Sequence, residues 1–564
     1  LNGYEGTWMS NEKILIDMVH HNPGEFPTNT KFLDPLVLSG LGYTGQVFKH
    51  VEAVADYDKI GFNWRTTGSE EAIWAQEIEA RIIEQNTKTK NAGLDLYYHV
   101  DLIVLPKLLL DNFRNELCDP DTGRISIRRP FTQETLRAMF QNIACKFPEI
   151  DGYVIRVGET YTYDTPYHLG NGAVTYQTDG PCKSEVEEFI ILLNLLIDEV
   201  CKKEKKLIFR TWDCYPNRFH SSADYYLNIT SQIEAHPNLI FSIKYTAADF
   251  LRRVPPNQCL GIGKHPQIVE VQCQREYEGK GAYPNYIGHD LLDGSAENNN
   301  EGGLNQISEN TLFNGLFTWS RGGGWYGPYI SSEFWCELNV RTVAAWFADT
   351  SRNEDAAFSK ACGEITGLSS QDIERFHEAC LLSSKAVLKG RYVAALDSTK
   401  TNSIIPICHW WMRDDVLGGL DQLNPALEYL YDHSLMDEAL VEKAESVKLW
   451  ESIVEIIGSL EFPNKSLGND ILVSAKYGLA LFGMVEAGWR VMSYGYRSVR
   501  DIVSTQDLLT RAIDDYYLRK TEFTAITEMP GSATRYRGRY FALPGEELPP
   551  GLDDTIALFR NKSV

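Results

Sequence analysis

Several short stretches place charged side chains at the ends of apolar, β-rich runs. Gly-Tyr-Val-Ile-Arg156-Val-Gly leads into Glu159, and Lys-Leu-Ile-Phe leads into Arg210-Thr-Trp212-Asp213. Leu-Ile-Phe-Ser-Ile leads into Lys244, with Asp249 five residues on. Ile-Val-Glu-Val-Gln-Cys-Gln delivers Arg275, Glu276 and Tyr277, and a last run ends in Trp319-Ser-Arg321, with Gly322, Gly323, Gly324 and Trp325 beyond. A buried charge without a partner is costly, so each of these needs a partner or a task. Two opposed carboxyl groups suit glycoside hydrolysis. One, protonated, assists the leaving oxygen, and the other, ionised, activates water or attacks carbon. Arg210 and Lys244 are equally suited to a carboxylate on a substrate, for which Arg supplies a planar fork. Trp212, Tyr245, Tyr277, Trp319 and Trp325 offer ring faces for stacking on sugars. For any single charge a plain ion-pair network is an even alternative, but the whole set at strand ends favours a catalytic rim.

Those runs belong to a longer alternation. Strands are expected at Lys13–Val19, Gly45–Phe48, Asp95–Val104, Gly152–Val157, Lys206–Trp212, Leu239–Tyr245, Gln267–Gln272 and Asn314–Trp319. Amphipathic segments such as Thr132–Phe147, Glu185–Lys203 and Ser222–Ala235 lie between later ones. Strands alternating with helices imply a parallel sheet with crossovers. Eight such units predict a (β/α)8 TIM barrel over residues 1–350, whose active site would lie at the C-terminal strand ends. A doubly wound open sheet is disfavoured, because His20-His21-Asn22-Pro23-Gly24-Glu25 stands where a glycine-rich phosphate turn would follow the first strand. After Asp349 the strand signal ends. Glu354–Thr366, Ser370–Leu388, Pro425–Tyr431, Met436–Gly458 and Asp470–Tyr496 read as helices of a second domain, 351–564, with a loop-rich tail from Glu528. The tail holds a basic aromatic patch, Arg535-Tyr536-Arg537-Gly538-Arg539-Tyr540, read as a solvated or ion-paired surface.

Composition narrows the partners. A net charge of −23 over 564 residues argues against nucleic acid, which needs a basic footprint. No uncharged apolar run reaches the ~18 residues that span a bilayer, so no membrane partner is expected. The longest, Phe189–Val200, is interrupted by Asn194 and Asp198. Eleven cysteines show no CxxC pair and no zinc-ligand spacing, and Cys145, Cys201 and Cys362 lie in apolar stretches that suit buried thiols. No phosphate-cradling GxxxxGK[ST], HExxH or GxSxG motif occurs, and no metal or organic cofactor is expected. The chain begins with Leu and carries sequons at Asn228, Asn464 and Asn561, which points to a processed or trimmed, exported protein and leaves the cytoplasm open.

Asn238-Leu-Ile-Phe-Ser-Ile-Lys244-Tyr-Thr-Ala-Ala-Asp249-Phe250 resembles the strand-six motif of the family 67 α-glucuronidases, N-V-x-L-Q-I-K-x-G-P-x-D-F. Val269-Glu-Val-Gln272-Cys-Gln-Arg-Glu276-Tyr277-Glu-Gly279 is similar to the family's M-E-F-Q-x-T-Q-E-Y-x-G. Ile208-Phe-Arg210-Thr matches its V-x-W-R, Asn339–Asp349 looks like its A-N-W-Y-A-F-G-R-L-A-W-D helix, and Trp411-Met-Arg413-Asp-Asp415 resembles its R-A-D-x-D-G loop. The resemblance covers roughly residues 150–350 well, the helical domain loosely and residues 1–150 hardly at all. It implies a distant relative without the family's N-terminal β domain.

Carried over, the resemblance implies a general acid at Glu159 and a base shared by Asp249 and Glu276. It implies uronate binding by Arg210 and Lys244, with Arg156 near the place of a family lysine. An inverting reaction follows, with acid and base about 6.5–9.5 Å apart. Glu159 would be kept protonated by partial desolvation. His20, His21, Glu25, Tyr161, Trp212, Tyr277, Trp319, Arg321 and Trp325 would line the pocket. The expected substrate is a glycan with a terminal α-linked glucuronic or 4-O-methylglucuronic acid, and the helical domain offers a homodimer surface by family analogy. The alternatives are a glycosidase of another sugar or of retaining stereochemistry, and a non-catalytic glycan-binding protein. A polysaccharide lyase fits less well, because no Tyr/His base arrangement accompanies the cations.

Overall fold

The computed structural model describes residues 13–20, 29–177, 182–323, 327–500, 505–536 and 550–561. Glu25, His21 and Trp325 lie outside them, as do Arg537 to Tyr540 of the basic patch.

Eight parallel strands close into a barrel: β1 Ile14–His20, β2 Gly45–Lys49, β3 Asp95–Asp101, β4 Gly152–Arg156, β5 Lys206–Arg210, β6 Leu239–Lys244, β7 Gln267–Gln272 and β8 Phe313–Gly322. Each falls on an apolar run expected from the sequence. Strands that face side chains on one side and helices on the other are buried on both, and so read as near-continuous apolar segments. The circle closes where β1 pairs with β8, Ile14 opposite Gly315 and His20 opposite Gly322. The run expected to extend to Val104 stops at Asp101; Val104–Pro106 pairs instead with His168–Gly170 in a separate two-stranded sheet.

Alternate residues fill the interior. Met18, Val47, Tyr97, Val154, Ile208, Ile240, Ile268 and Phe317 pack together in one apolar cluster inside the strands. Their neighbours in sequence, such as Leu15, Val269 and Leu316, pack in another cluster with Val340, Val343 and Trp346 of the helix Phe334–Phe347. Counting in twos from the interior layer towards the C-terminal ends gives Lys49, His99, Asp101, Arg156, Arg210, Ser242, Lys244, Glu270, Gln272 and Trp319. An apolar plug thus carries a charged upper layer.

The C-terminal region is helical, built mainly from Glu354–Thr366, Ser370–Arg391, Leu420–Asp432, Met436–Gly458, Lys465–Arg500 and Gln506–Thr527. The helix expected to begin at Pro425 starts earlier, with the proline inside its first turns. Gln506–Thr527 and Leu552–Asn561 were not expected, the latter inside a segment read as loop-rich. Among the described residues, Lys465–Arg500 is the helix long and apolar enough to cross a membrane, and most of that stretch is buried in the bundle. The same apolar core takes in Ala282, Tyr283 and Tyr286 from the loop after β7, so the barrel mouth and the bundle are continuous. All eleven cysteines are unpaired, and Cys145 is exposed on the helix Pro130–Lys146 instead of buried.

Candidate active site

Three carboxylates expected from the sequence leave neighbouring strand ends: Glu159 after β4, Asp249 after β6 and Glu276 after β7. Lys244 is their common centre. Its ammonium ion-pairs with Asp249, and its charge acts on both Glu159 and Glu276. It is enclosed by rings, 4.3 Å from the centroid of Trp212, 4.2 Å from Phe250 and 5.4 Å from Trp319. The Tyr277 hydroxyl donates to the other oxygen of Asp249 at 3.2 Å. Asp249 and Tyr277 both hold left-handed backbone, φ 49° and 65°, a conformation that costs non-glycine residues about 1–3 kcal/mol and concentrates at functional sites.

The carboxyls are driven apart. Glu276 is buried, its charged form disfavoured by burial and then by the nearby Asp249, and its pKa is raised to about 8. Glu159 stays below the ordinary carboxylate value. Burial pushes it up, but Arg156, Lys244, a Cys214 hydrogen bond and Arg210 together outweigh that. The expectation that desolvation keeps Glu159 protonated is therefore reversed: the protonated group is Glu276 and the ionised one is Glu159. The sequence places Arg156, Arg210 and Lys244 on the same rim, but it does not show that their charges converge on Glu159.

Arg156 is 1% exposed and grips Asp101 with two bonds, Nε at 2.7 Å and Nη2 at 2.5 Å, while Nη1 lies 3.3 Å from Glu159. Arg210 is fully buried and closes a fork on Glu270, at 3.0 and 2.6 Å, with His99 at 3.1 Å on the remaining nitrogen. Ser242 also donates to Glu270. Arg210 thus supports the floor from below. Arg156, Arg210 and Lys244, expected to collect a substrate carboxylate, each meet a protein carboxylate first. Asp101, His99, Glu270 and Lys49 were missed in the sequence, although counting in twos along β2, β3 and β7 would have found them.

The other expected lining residues separate into groups. His20 stacks on Trp319 with ring centroids 4.4 Å apart, and Arg210 lies over the same indole at 5.1 Å. The Arg156 guanidinium lies over Tyr161 at 4.9 Å. Arg321 is turned towards Gln274, at 2.5 Å, and towards Glu333, with which it forms an ion pair. Asp213 accepts from the Tyr176 hydroxyl at 2.6 Å, and burial raises its pKa to about 7.

The helical region reaches this mouth. Asp414 accepts from the Gly279 amide at 2.9 Å, docking the small hairpin of Met412–Arg413 and Val416–Leu417 against the loop after β7. The Arg413 guanidinium then lies over the Tyr277 ring at 5.2 Å, and its charge acts on Glu276. Among the described residues, groupings with metal-ligand character are His289, Asp293, Glu354 and Glu354, Asp355, His377. Both include Glu354 of the helix Glu354–Thr366 and neither includes a strand-end carboxylate.

No protein-family model matches the chain, and no curated protein matches it. Among solved structures, a mutant O-GlcNAc hydrolase of Thermobaculum terrenum is similar over 98% of this chain and 94% of its own, with 10% identity and a TM-score of 0.41. The GH20 exo-β-N-acetylglucosaminidase of Vibrio harveyi, in complex with N-acetylglucosamine, is similar over 67% of this chain and 57% of its own, with 9% identity and a TM-score of 0.32. Nothing about the chemistry follows from likenesses this distant. The closed parallel barrel rests on its own strand registers.

Proposed function

We propose that the protein is an exo-acting glycoside hydrolase. The observation that carries this reading is the division of labour among the strand-end carboxyls, with Glu276 held protonated and Glu159 held ionised around Lys244. Glycosidic bond cleavage needs one carboxyl of each kind. In this reading Glu276 gives its proton to the departing glycosidic oxygen. Glu159, with Asp249 beside Lys244, activates water or meets the anomeric carbon. The charge of Asp249 adds to burial in keeping the proton on Glu276. A protein that only bound glycans would gain nothing from burying a protonated Glu276 against Asp249.

As substrate we propose a glycan with a terminal α-linked glucuronic or 4-O-methylglucuronic acid. The support is the likeness of the β6 and β7 motifs to those of the family 67 α-glucuronidases, with inversion as the expected outcome. A second reading, a neutral terminal sugar, is favoured by one observation: Arg156, Arg210 and Lys244 are already matched by Asp101, Glu270 and Asp249.

The test is a panel of uronic-acid-bearing oligosaccharides and neutral or N-acetylated counterparts, with Glu276→Gln as the control. Release of uronic acid alone supports the first substrate reading, and release of only uncharged sugars replaces it with the second. Early-time NMR of the product anomer reads the stereochemistry, and a retained anomer rules out inversion. Turnover of no glycoside, or turnover untouched in both Glu276→Gln and Glu159→Gln, removes the hydrolase reading.

A further inference from the structure

We propose that Gln272 is a positioning residue that fixes which oxygen of Glu276 carries the transferable proton. This deepens the reading of Glu276 as general acid and rests on it. Gln272 ends β7, and both side chains are buried. The Glu276 backbone N–H can only donate, and it meets Gln272 Oε1 at 2.5 Å. That contact settles the orientation of the amide, so Nε2 faces the carboxyl and donates to Oε2 at 3.0 Å. Nε2 also lies 3.4 Å from the Gly322 carbonyl, which takes a second N–H. Of the two oxygens of a neutral acid, the carbonyl oxygen is the better acceptor of an N–H. The proton of Glu276 therefore sits on Oε1.

The opposite wall closes the clamp. A Cβ at Gly323 would lie 2.4 Å from Gln272 Nε2 and 2.7 Å from Glu276 Oε2, and φ there is +87°. Only glycine lets the end of β8 come this close, and its backbone covers the Oε2 edge. An unclamped carboxyl turns freely about its last torsion, which is broad and two-fold, and presents its proton in the wrong place much of the time. General acid catalysis requires the proton within hydrogen-bond reach of the departing oxygen. Among the described residues, Asp249, Lys244, Arg413 and Lys280 act on Glu276 through their charge, and Gln272 adds a directional N–H.

The experiment compares wild type with Gln272→Met, which keeps the length and removes both polar atoms. On an oligosaccharide with a poor leaving group, kcat should fall about 10–100-fold with KM within about two-fold. On a glycosyl fluoride or dinitrophenyl glycoside, which departs without an acid, the loss should stay within about three-fold. An equal loss on both substrates overturns the proposal, because general damage to the site does not depend on the leaving group. Gln272→Leu, which also removes both polar atoms, serves with the same expectation where Gln272→Met does not fold. A second readout needs no substrate. In a carbon-13 carboxyl NMR titration, with Glu276 assigned by its absence in Glu276→Gln, the midpoint should rise in Gln272→Met, because a donor favouring the ionised form is lost. An unmoved midpoint overturns the clamp even where wild type is active. A moved midpoint with no glycoside turned over by wild type removes the hydrolase reading and leaves the clamp standing.

Discussion

Glu276 and Glu278 leave the same strand two residues apart, both buried, and are driven in opposite directions. Glu276 is raised to about 8, whereas Glu278 is held far below the ordinary carboxylate range by Arg252 and Arg275, which outweigh its burial. Glu278 accepts from Arg252 at 3.0 and 3.2 Å, from Arg275 at 2.8 Å, from Asn285 at 2.8 Å and from the Tyr392 hydroxyl at 2.9 Å. Arg252 in turn donates to the Ser384 carbonyl, so this cluster joins the barrel to the helical region. Glu276 has the Gln272 amide and the Asp249 carboxylate instead. Burial is common to both, so burial alone does not set the charge. Directly bonded guanidinium groups do. One site is saturated and serves as a joint; at the other, burial and Asp249 outweigh the cations nearby, which is what a proton donor at neutral pH requires.

The largest expected effect tests the donor. Glu276→Gln should lower kcat by about 10²–10⁴-fold on substrates with poor leaving groups and much less on activated ones. Glu159→Gln should cost activity on both. The reverse pattern would return the acid role to Glu159, as the family 67 resemblance implies. On the other side of the comparison, Glu278→Gln should leave that leaving-group pattern intact and destabilise the fold by about 3–5 kcal/mol, because buried Arg275 and Arg252 lose the carboxylate they share. Urea unfolding measures this, and a loss below about 1 kcal/mol would show that the joint is solvated.

A third effect is a matter of pH. With Glu276 as acid, kcat/KM on a poor leaving group should fall as pH rises through about 8. Glu278→Gln should not move that limb, whereas Gln272→Met should move it upward. A limb centred near the ordinary glutamate value would deny Glu276 the role.

Much of this is legible in the sequence. The eight apolar runs locate all eight barrel strands, because a strand buried on both faces is apolar over most of its length. The more apolar helices, such as Glu354–Thr366 and Met436–Gly458, are equally plain. Gln506–Thr527 is more polar on average and does not stand out in the sequence. The strand-end chemistry was legible as residue types but not as pairs. Arg156 finds Asp101 across 55 residues and Arg210 finds Glu270 across 60, and nothing local announces either. Hence three cations read as free for a substrate turn out to be matched. The protonation states of Glu159 and Glu276 came out reversed for the same reason, since they depend on neighbours brought by other strands.

The smallest effect separates the two glutamates by linkage. The unfolded chain ionises a glutamate near about 4.3. Folded Glu276 keeps its proton to about 8, so between those values the native state binds more protons than the unfolded one. Stability from this group therefore declines as pH rises across that window. Folded Glu278 is depressed, so its contribution is fully present above about 4.3 and is lost only as pH falls below it. Glu276→Gln, which cannot ionise, should gain in Tm on wild type steadily from about pH 5 to about pH 8. Glu278→Gln should show a constant deficit over the same range, shrinking only in acid. Parallel Tm curves for wild type and Glu276→Gln would mean that Glu276 ionises alike in both states. The contrast between the two glutamates would then vanish, and with it the physical ground for a proton donor at the end of β7.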